Sequence, residues 1–257
     1  MQFSPSVWYN VIKAELYLPL FNEDILILSD FGYIKRNLEE LLSEIEELSK
    51  GKNQKVTLVC VTKSGSDEEL LALAKAGALN IGENRPQELK RRGDLLLEKG
   101  FTPALHEIGN LQRNKVKMIL PTVALIHSLD SYELALEIDK RAREIGRVVP
   151  VLVEINSAEE SQKGGILPED AEEFIRRVSE LKNISVLGLM TMGPVCEEAE
   201  EIRPYFRKTR ELFDLLKAKG CFVGEGILSM GMSDSYRVAI EEGSTLVRVG
   251  RRLFVKD

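Results

Sequence analysis

Histidine, tryptophan and cysteine are scarce in this chain: two, one and three residues among 257. The three cysteines, Cys60, Cys196 and Cys221, show neither a CxxC pair nor a metal-ligand spacing, so they read as the ordinary thiols of a reducing cytoplasm. Basic residues are not in excess either. Thirty-five Lys and Arg against 41 Asp and Glu leave a net charge of -6, which argues against a nucleic-acid or anionic-membrane binder. No apolar run reaches the roughly 18 residues of a membrane span. Near the start, Lys13, Glu15 and Asn22-Glu-Asp24 interrupt what would have to be the unbroken apolar core of a secretory leader. No Pro/Gly/Ser-rich linker divides the chain, and a single domain is the simpler expectation.

What remains is a chain with 44% hydrophobic residues, enough for one large core. Residues 1–32 are rich in aromatics (Phe3, Trp8, Tyr9, Tyr17, Phe21, Phe31) without a sustained period, and read as an extension irrelevant to the chemistry. Residues 33–257 form the expected domain. Its first element is an amphipathic helix marked by Ile34, Leu38, Leu41, Leu42, Ile45 and Leu48 and closed by Gly51. Strand-like runs follow at 55–63, 78–83, 104–109, 123–129, 149–156, 184–191, 225–230 and 244–249. Helical patterns alternate with them, including 68–77, 132–146, 169–181 and 200–220. About eight βα units over roughly 200 residues predict a TIM-type (β/α)8 barrel, with a doubly wound open sheet as the alternative.

In such a barrel the carboxyl ends of the strands carry function. The first strand is apolar at successive positions and ends in Lys63, where desolvation would lower the amine's pKa and favour attack on carbonyl compounds. A plain surface lysine is the bland alternative. Asn84 closes the second strand as a ligand contact or an Asx turn. His106 and His127 lie mid-strand, where a hydrogen-bonded core histidine is as good a reading as a functional one. The run Lys90-Arg91-Arg92 reads as a solvated helix face. Gly226-Ile-Leu-Ser-Met-Gly-Met-Ser-Asp234 leads into a helix with Ser233 or Asp234 as its expected N-cap, and Gly250 ends the eighth strand. These two glycine loops stand where TIM barrels often hold phosphate. Arg248, in register with Leu246 and Gly250 on an apolar strand, should be partly buried. It would need a carboxylate such as Glu83, Glu107 or Glu154, or a ligand acceptor. Pyridoxal 5'-phosphate combines the carbonyl, phosphate and ring nitrogen that Lys63, the glycine loops and Arg248 would use.

Several motifs in order carry a family resemblance. They are Val61-Thr-Lys63, Ile81-Gly-Glu-Asn84 with Gln87-Glu88, His106-Glu-Ile-Gly-Asn-Leu-Gln-Arg-Asn-Lys115 and His127-Ser-Leu-Asp130. Gly188-Leu-Met-Thr-Met-Gly-Pro194, Arg203-Pro-Tyr-Phe206, Leu228-Ser-Met-Gly-Met-Ser233 and Val247-Arg-Val-Gly250 continue the series. From Tyr33 to Phe254 the chain resembles the YggS/PROSC family of pyridoxal phosphate homeostasis proteins. The resemblance implies a barrel like the N-terminal domain of alanine racemase, with Lys63 as the Schiff-base lysine. It also implies phosphate contacts from Ser229, Met230, Gly231 and Ser233 and from the Gly250-Arg251 backbone, with Arg248 facing the pyridine nitrogen. Arg251 stands where relatives often carry a hydroxyl residue, and Val255-Lys-Asp257 replaces a glycine-containing ending.

Racemisation needs a base on each face of the cofactor-substrate adduct. The related racemases take their second base from a tyrosine on a separate domain, and no tyrosine of this chain falls at a strand end. An arginine opposite the ring nitrogen also weakens the ring as an electron sink. The leading expectation is therefore a cytoplasmic pyridoxal-phosphate carrier or buffer, monomer or homodimer, with apo-enzymes as acceptors. A racemase-like enzyme using His106 or another rim residue as base, or a Schiff-base phosphosugar aldolase, is the alternative.

Overall fold

A computed structural model describes residues 31–52, 54–160 and 164–256. The extension expected over residues 1–32 falls, apart from its last two residues, outside this set. Helix α1 (Gly32–Ser49) buries Tyr33, Ile34, Leu38, Leu41 and Ile45 along one face. Leu42, expected on the same stripe, is instead about half exposed.

Eight strands then close into one barrel, each parallel to its neighbours in chain order. They are β1 (Thr57–Val61), β2 (Asn80–Glu83), β3 (Ala104–Glu107), β4 (Val123–Leu129), β5 (Val149–Glu154), β6 (Ile184–Met190), β7 (Ile227–Ser229) and β8 (Leu246–Val249). Closure is made by β8 against β1, with Thr57 opposite Leu246 and Cys60 opposite Val249. The adjacent β7–β8 seam is short, its single pair being Ser229 opposite Leu246. The expected barrel, not the open sheet, is thus the one adopted, and each expected strand run contains an observed strand.

Helices cover the outside. They are α2 (Asp67–Lys75), α3 (Pro86–Glu98), α4 (Val116–Ile119), α5 (Tyr132–Glu144), α6 (Ala171–Val178), α7 (Arg203–Ala218) and α8 (Tyr236–Glu241). A reciprocal capping box starts α2: Ser66 accepts the Glu69 N-H, and the Glu69 side chain accepts that of Ser66. Such a cap satisfies donors that the first helical turn otherwise leaves orphaned. Pro86 at the first turn of α3 costs no helical hydrogen bond.

Alternation along the strands sorts two cores. Outward residues such as Leu58, Cys60, Ile126, Val151, Val153, Leu189 and Val247 pack with the helices. Val59, Leu125, Leu152, Met190 and Leu246 form a separate apolar cluster, the floor of the barrel interior. Every barrel strand is covered on both faces, which explains its near-continuous apolar run.

Candidate functional site

Above that apolar floor the interior turns polar. Arg248 of β8 is 3% exposed. Its Nη1 donates to Ser229 Oγ at 2.6 Å and its Nη2 to the Thr191 carbonyl at 3.1 Å. No carboxylate ion pair to Arg248 is formed among the described residues; the expected candidates Glu83 and Glu107 point outward from the barrel. Glu154 contributes only through its charge. Burial lowers the arginine to about 10, so it stays cationic at neutral pH. Glu154 is itself pushed up to about 6, chiefly by burial.

The polar row continues across the barrel. Ser229 Oγ lies 3.1 Å from His127 Nδ1, His127 Nε2 lies 2.9 Å from His106 Nδ1, and His106 Nε2 lies 3.2 Å from Asn80 Oδ1. Burial lowers His106 to about 4 and His127 well below the usual imidazole value. Both rings are therefore neutral, and both are hydrogen-bonded at each nitrogen. This decides between the two sequence readings in favour of core histidines. His106, 4% exposed, does not reach the barrel mouth as a base would have to.

The loops after β7 and β8 meet at the rim, where Ser233 Oγ accepts the Gly250 N-H at 3.3 Å. Gly231 has φ +94°, and a Cβ there would lie 2.5 Å from Ala239 Cβ. At Gly250 a Cβ would lie 2.7 Å from the Val61 carbonyl oxygen. Close approach of the chain to itself thus already requires both glycines. The helix after this loop starts later than expected: Ser235 is the residue before α8, and its hydroxyl accepts the Met232 N-H. Met230 is fully buried, with its N-H committed to the Leu246 carbonyl. Ser229 faces the barrel interior beside Arg248 and is fully buried, below the rim formed by Gly231, Ser233, Gly250 and Arg251. Arg251 is exposed and pairs with Asp234.

Lys63 lies two residues beyond β1 and is exposed. The burial expected for it is therefore not found: the strand ends before the lysine, and a turn lifts it off the buried sheet. That turn is closed by the Gly65 N-H donating to the Thr62 carbonyl at 3.0 Å, which makes Lys63 and Ser64 its two central residues. Together with Asn84, which is exposed, Lys63 borders a cavity of about 340 Å³ also lined by Glu83, Arg85, Glu88 and Arg92.

Arg92 was missed in the sequence. Far from being solvated, it is 7% exposed. It donates through Nη1 to Glu83 Oε1 at 2.8 Å and to the Thr62 carbonyl, and through Nη2 to the Gly65 carbonyl at 2.7 Å. Glu83, 1% exposed, also accepts the Thr62 hydroxyl at 2.5 Å. The signal was spacing: Arg92 falls between Leu89 and Leu96 on the buried stripe of α3.

With this geometry in place, the comparisons with known proteins become specific. The family model for the alanine racemase N-terminal domain matches residues 36–256. A pyridoxal phosphate homeostasis protein of Aquifex aeolicus is 43% identical over 221 residues, covering 86% of this chain and 95% of its own. Its counterpart in Helicobacter pylori is 35% identical over 224 residues, covering 86% and 97%. PipY of Synechococcus elongatus, solved with PLP bound, superposes with a TM-score of 0.75 at 28% identity, covering 86% of this chain and all of that one. Alanine racemase of Clostridium difficile shares the fold, with a TM-score of 0.67 at 21% identity; the match covers 86% of this chain and 60% of that one.

Proposed function

Because the chain belongs to the alanine racemase N-terminal domain family and to the pyridoxal phosphate homeostasis proteins, we propose that it binds pyridoxal 5'-phosphate at the barrel mouth and serves as a carrier or buffer of that cofactor. The observation that carries the reading is Arg248. A buried guanidinium that hydrogen-bonds only neutral oxygens suits a neighbouring aromatic nitrogen acceptor, whereas an arginine serving structure alone would be expected to pair with a carboxylate.

The residues present fit the group. Lys63 supplies an exposed amine at the end of β1. The joined loops at Gly231–Ser233 and Gly250-Arg251 offer the backbone N-H groups of Gly231, Ser233 and Arg251 and the Ser233 hydroxyl to a phosphate, those of Met232 and Gly250 being already bonded to Ser235 and Ser233, and Asn84 borders the same mouth. When bound, the cofactor supplies an aldehyde that the Lys63 amine can hold as a Schiff base. Arg248 would donate toward the ring nitrogen and, being held cationic, would keep its own protons. His106 and His127 hold Ser229, and through it Arg248, in place. Their nitrogens are occupied and they lie beneath the mouth, so the chain presents no histidine there to move a substrate proton. This supports carriage over racemisation. Apo-enzymes as acceptors and action in the cytoplasm belong to the same proposal; among the described residues no helix is long and apolar enough to cross a membrane.

The test is an absorption spectrum of the purified protein with added pyridoxal phosphate, before and after borohydride, followed by peptide mass mapping. A reducible near-visible band with the adduct on Lys63, lost in Lys63→Ala, is the expected result. Labelling spread over surface lysines would overturn the proposal.

A further inference from the structure

The turn that carries Lys63 is gripped at both ends by one side chain from a helix outside the barrel. The Thr62 carbonyl, which already closes the turn by accepting the Gly65 N-H, also accepts Arg92 Nη1; the Gly65 carbonyl accepts Nη2 at 2.7 Å. Glu83, at the end of β2, balances the guanidinium charge at 2.8 Å and holds the Thr62 hydroxyl. From beyond β8 the Phe254 ring lies over the turn, so close that a Cβ on Gly65 would come within 2.6 Å of it. Elements β1, β2 and α3 thus converge on four residues, Thr62 to Gly65, whose only long side chain is an exposed lysine.

A forked guanidinium is the group that can donate to two carbonyls and a carboxylate at once in fixed geometry. Nothing about the fold of α3 requires this. The helix already buries Leu89, Gly93 and Leu96 on the same stripe, and an apolar residue at position 92 would serve packing better than a charge that must be neutralised. We infer that Arg92, with Glu83, is a positioning residue for Lys63: it fixes the turn so that the flexible, exposed amine is delivered to the barrel mouth.

This rests on the proposal that Lys63 condenses with an aldehyde there. In that condensation the neutral amine attacks the carbonyl carbon, a C=N bond forms, and the carbonyl oxygen leaves as water with the two protons released by nitrogen. Holding the attacking atom in place accelerates such a step without adding affinity for the rest of the ligand.

That distinction supplies the test, made with the full chain. Pyridoxine 5'-phosphate carries the ring and phosphate but an alcohol where pyridoxal phosphate has its aldehyde, so it binds without condensing. Arg92→Gln is expected to slow growth of the near-visible band about tenfold, with affinity for pyridoxine 5'-phosphate kept within about twofold and the circular dichroism unchanged. Arg92→Lys, which keeps the charge but not the fork, should recover part of the rate. Should Arg92→Gln not fold, Arg92→Lys and Glu83→Gln carry the same comparison. Band growth as fast as in the parent in all these variants would overturn the inference, as would an equal loss of both ligands, which marks a general structural role. A parent protein with no adduct on Lys63 would instead overturn the cofactor reading on which it rests.

Discussion

His106 and His127 hydrogen-bond to each other across the barrel interior, Nδ1 to Nε2 at 2.9 Å, and Asn80 and Arg248 together determine which nitrogen carries each proton. The amide oxygen of Asn80 can only accept, so His106 holds its proton on Nε2 and accepts at Nδ1. His127 then donates from Nε2 and accepts at Nδ1 from the Ser229 hydroxyl, whose oxygen is left to accept from Arg248. Each hydrogen bond of the row thus pairs one donor with one acceptor.

Acid should break this row. The unfolded chain protonates its histidines near the ordinary value of 6.5, whereas burial lowers His106 to about 4 and His127 well below that value. Between those limits the unfolded state binds more protons, so stability falls as pH drops from 6.5 toward 4, by about 3 kcal/mol for His106 alone. Urea unfolding across this range tests the slope, and nitrogen-15 imidazole shifts should show two neutral rings at pH 6.

Glu107 should act in the opposite sense. It is fully buried, one carboxyl oxygen has no partner among the described residues, and burial pushes it up to about 8 from 4.5. The native state therefore keeps a proton that the unfolded chain has released, and stability declines between about pH 4.5 and 8 at up to about 1.4 kcal/mol per pH unit. Glu107→Gln should flatten that decline and match or exceed the parent at pH 8 in the same denaturation series.

Gly188 on β6 admits no side chain. A Cβ there would stand 1.9 Å from the Ile227 carbonyl oxygen of β7. Gly188→Ala should cost about 3 kcal/mol or more, read as a lower urea midpoint. A midpoint equal to that of the parent would mean that the two strands separate more easily than their close approach implies.

Cys60, on β1, is 2% exposed, and burial pushes its thiol up to about 12. A thiol reagent at pH 8 should leave it unmodified in the native protein and reach it only after denaturation. The partly exposed Cys196 and Cys221 serve as internal comparisons. Native labelling of Cys60 would reveal opening of the barrel wall.

The barrel was legible because its strands are buried on both faces, so that Val59, Val151 or Leu189 announces a strand whichever way it points. Arg248 was legible for the same reason: a charge on a strand of apolar residues needs an answer. Its partners were not, because Ser229 and Thr191 are small and neutral, and a sequence search for a counter-ion looks among carboxylates. Lys63 was marked as the end of the strand, but the strand stops at Val61, and the lysine's exposure depends on the turn at Thr62–Gly65, which the run Val61-Thr-Lys-Ser-Gly65 does not specify. Arg92 was hidden by its neighbours. Lys90 and Arg91 do face solvent, and a run of charges conceals the one member that falls on the inner face.

The closure of β8 onto β1 has a consequence for synthesis. Strand β1 is complete once residue 61 has been made, and β2 can cover one of its edges about twenty residues later. The other edge waits for Leu246–Val249. Through most of translation the strand leading to Lys63 therefore keeps a row of unpaired backbone groups, the kind of open edge that recruits other chains. Helices α1 and α2, which pack on each other, are available early, and shielding this growing sheet is a task separate from anything the finished barrel does.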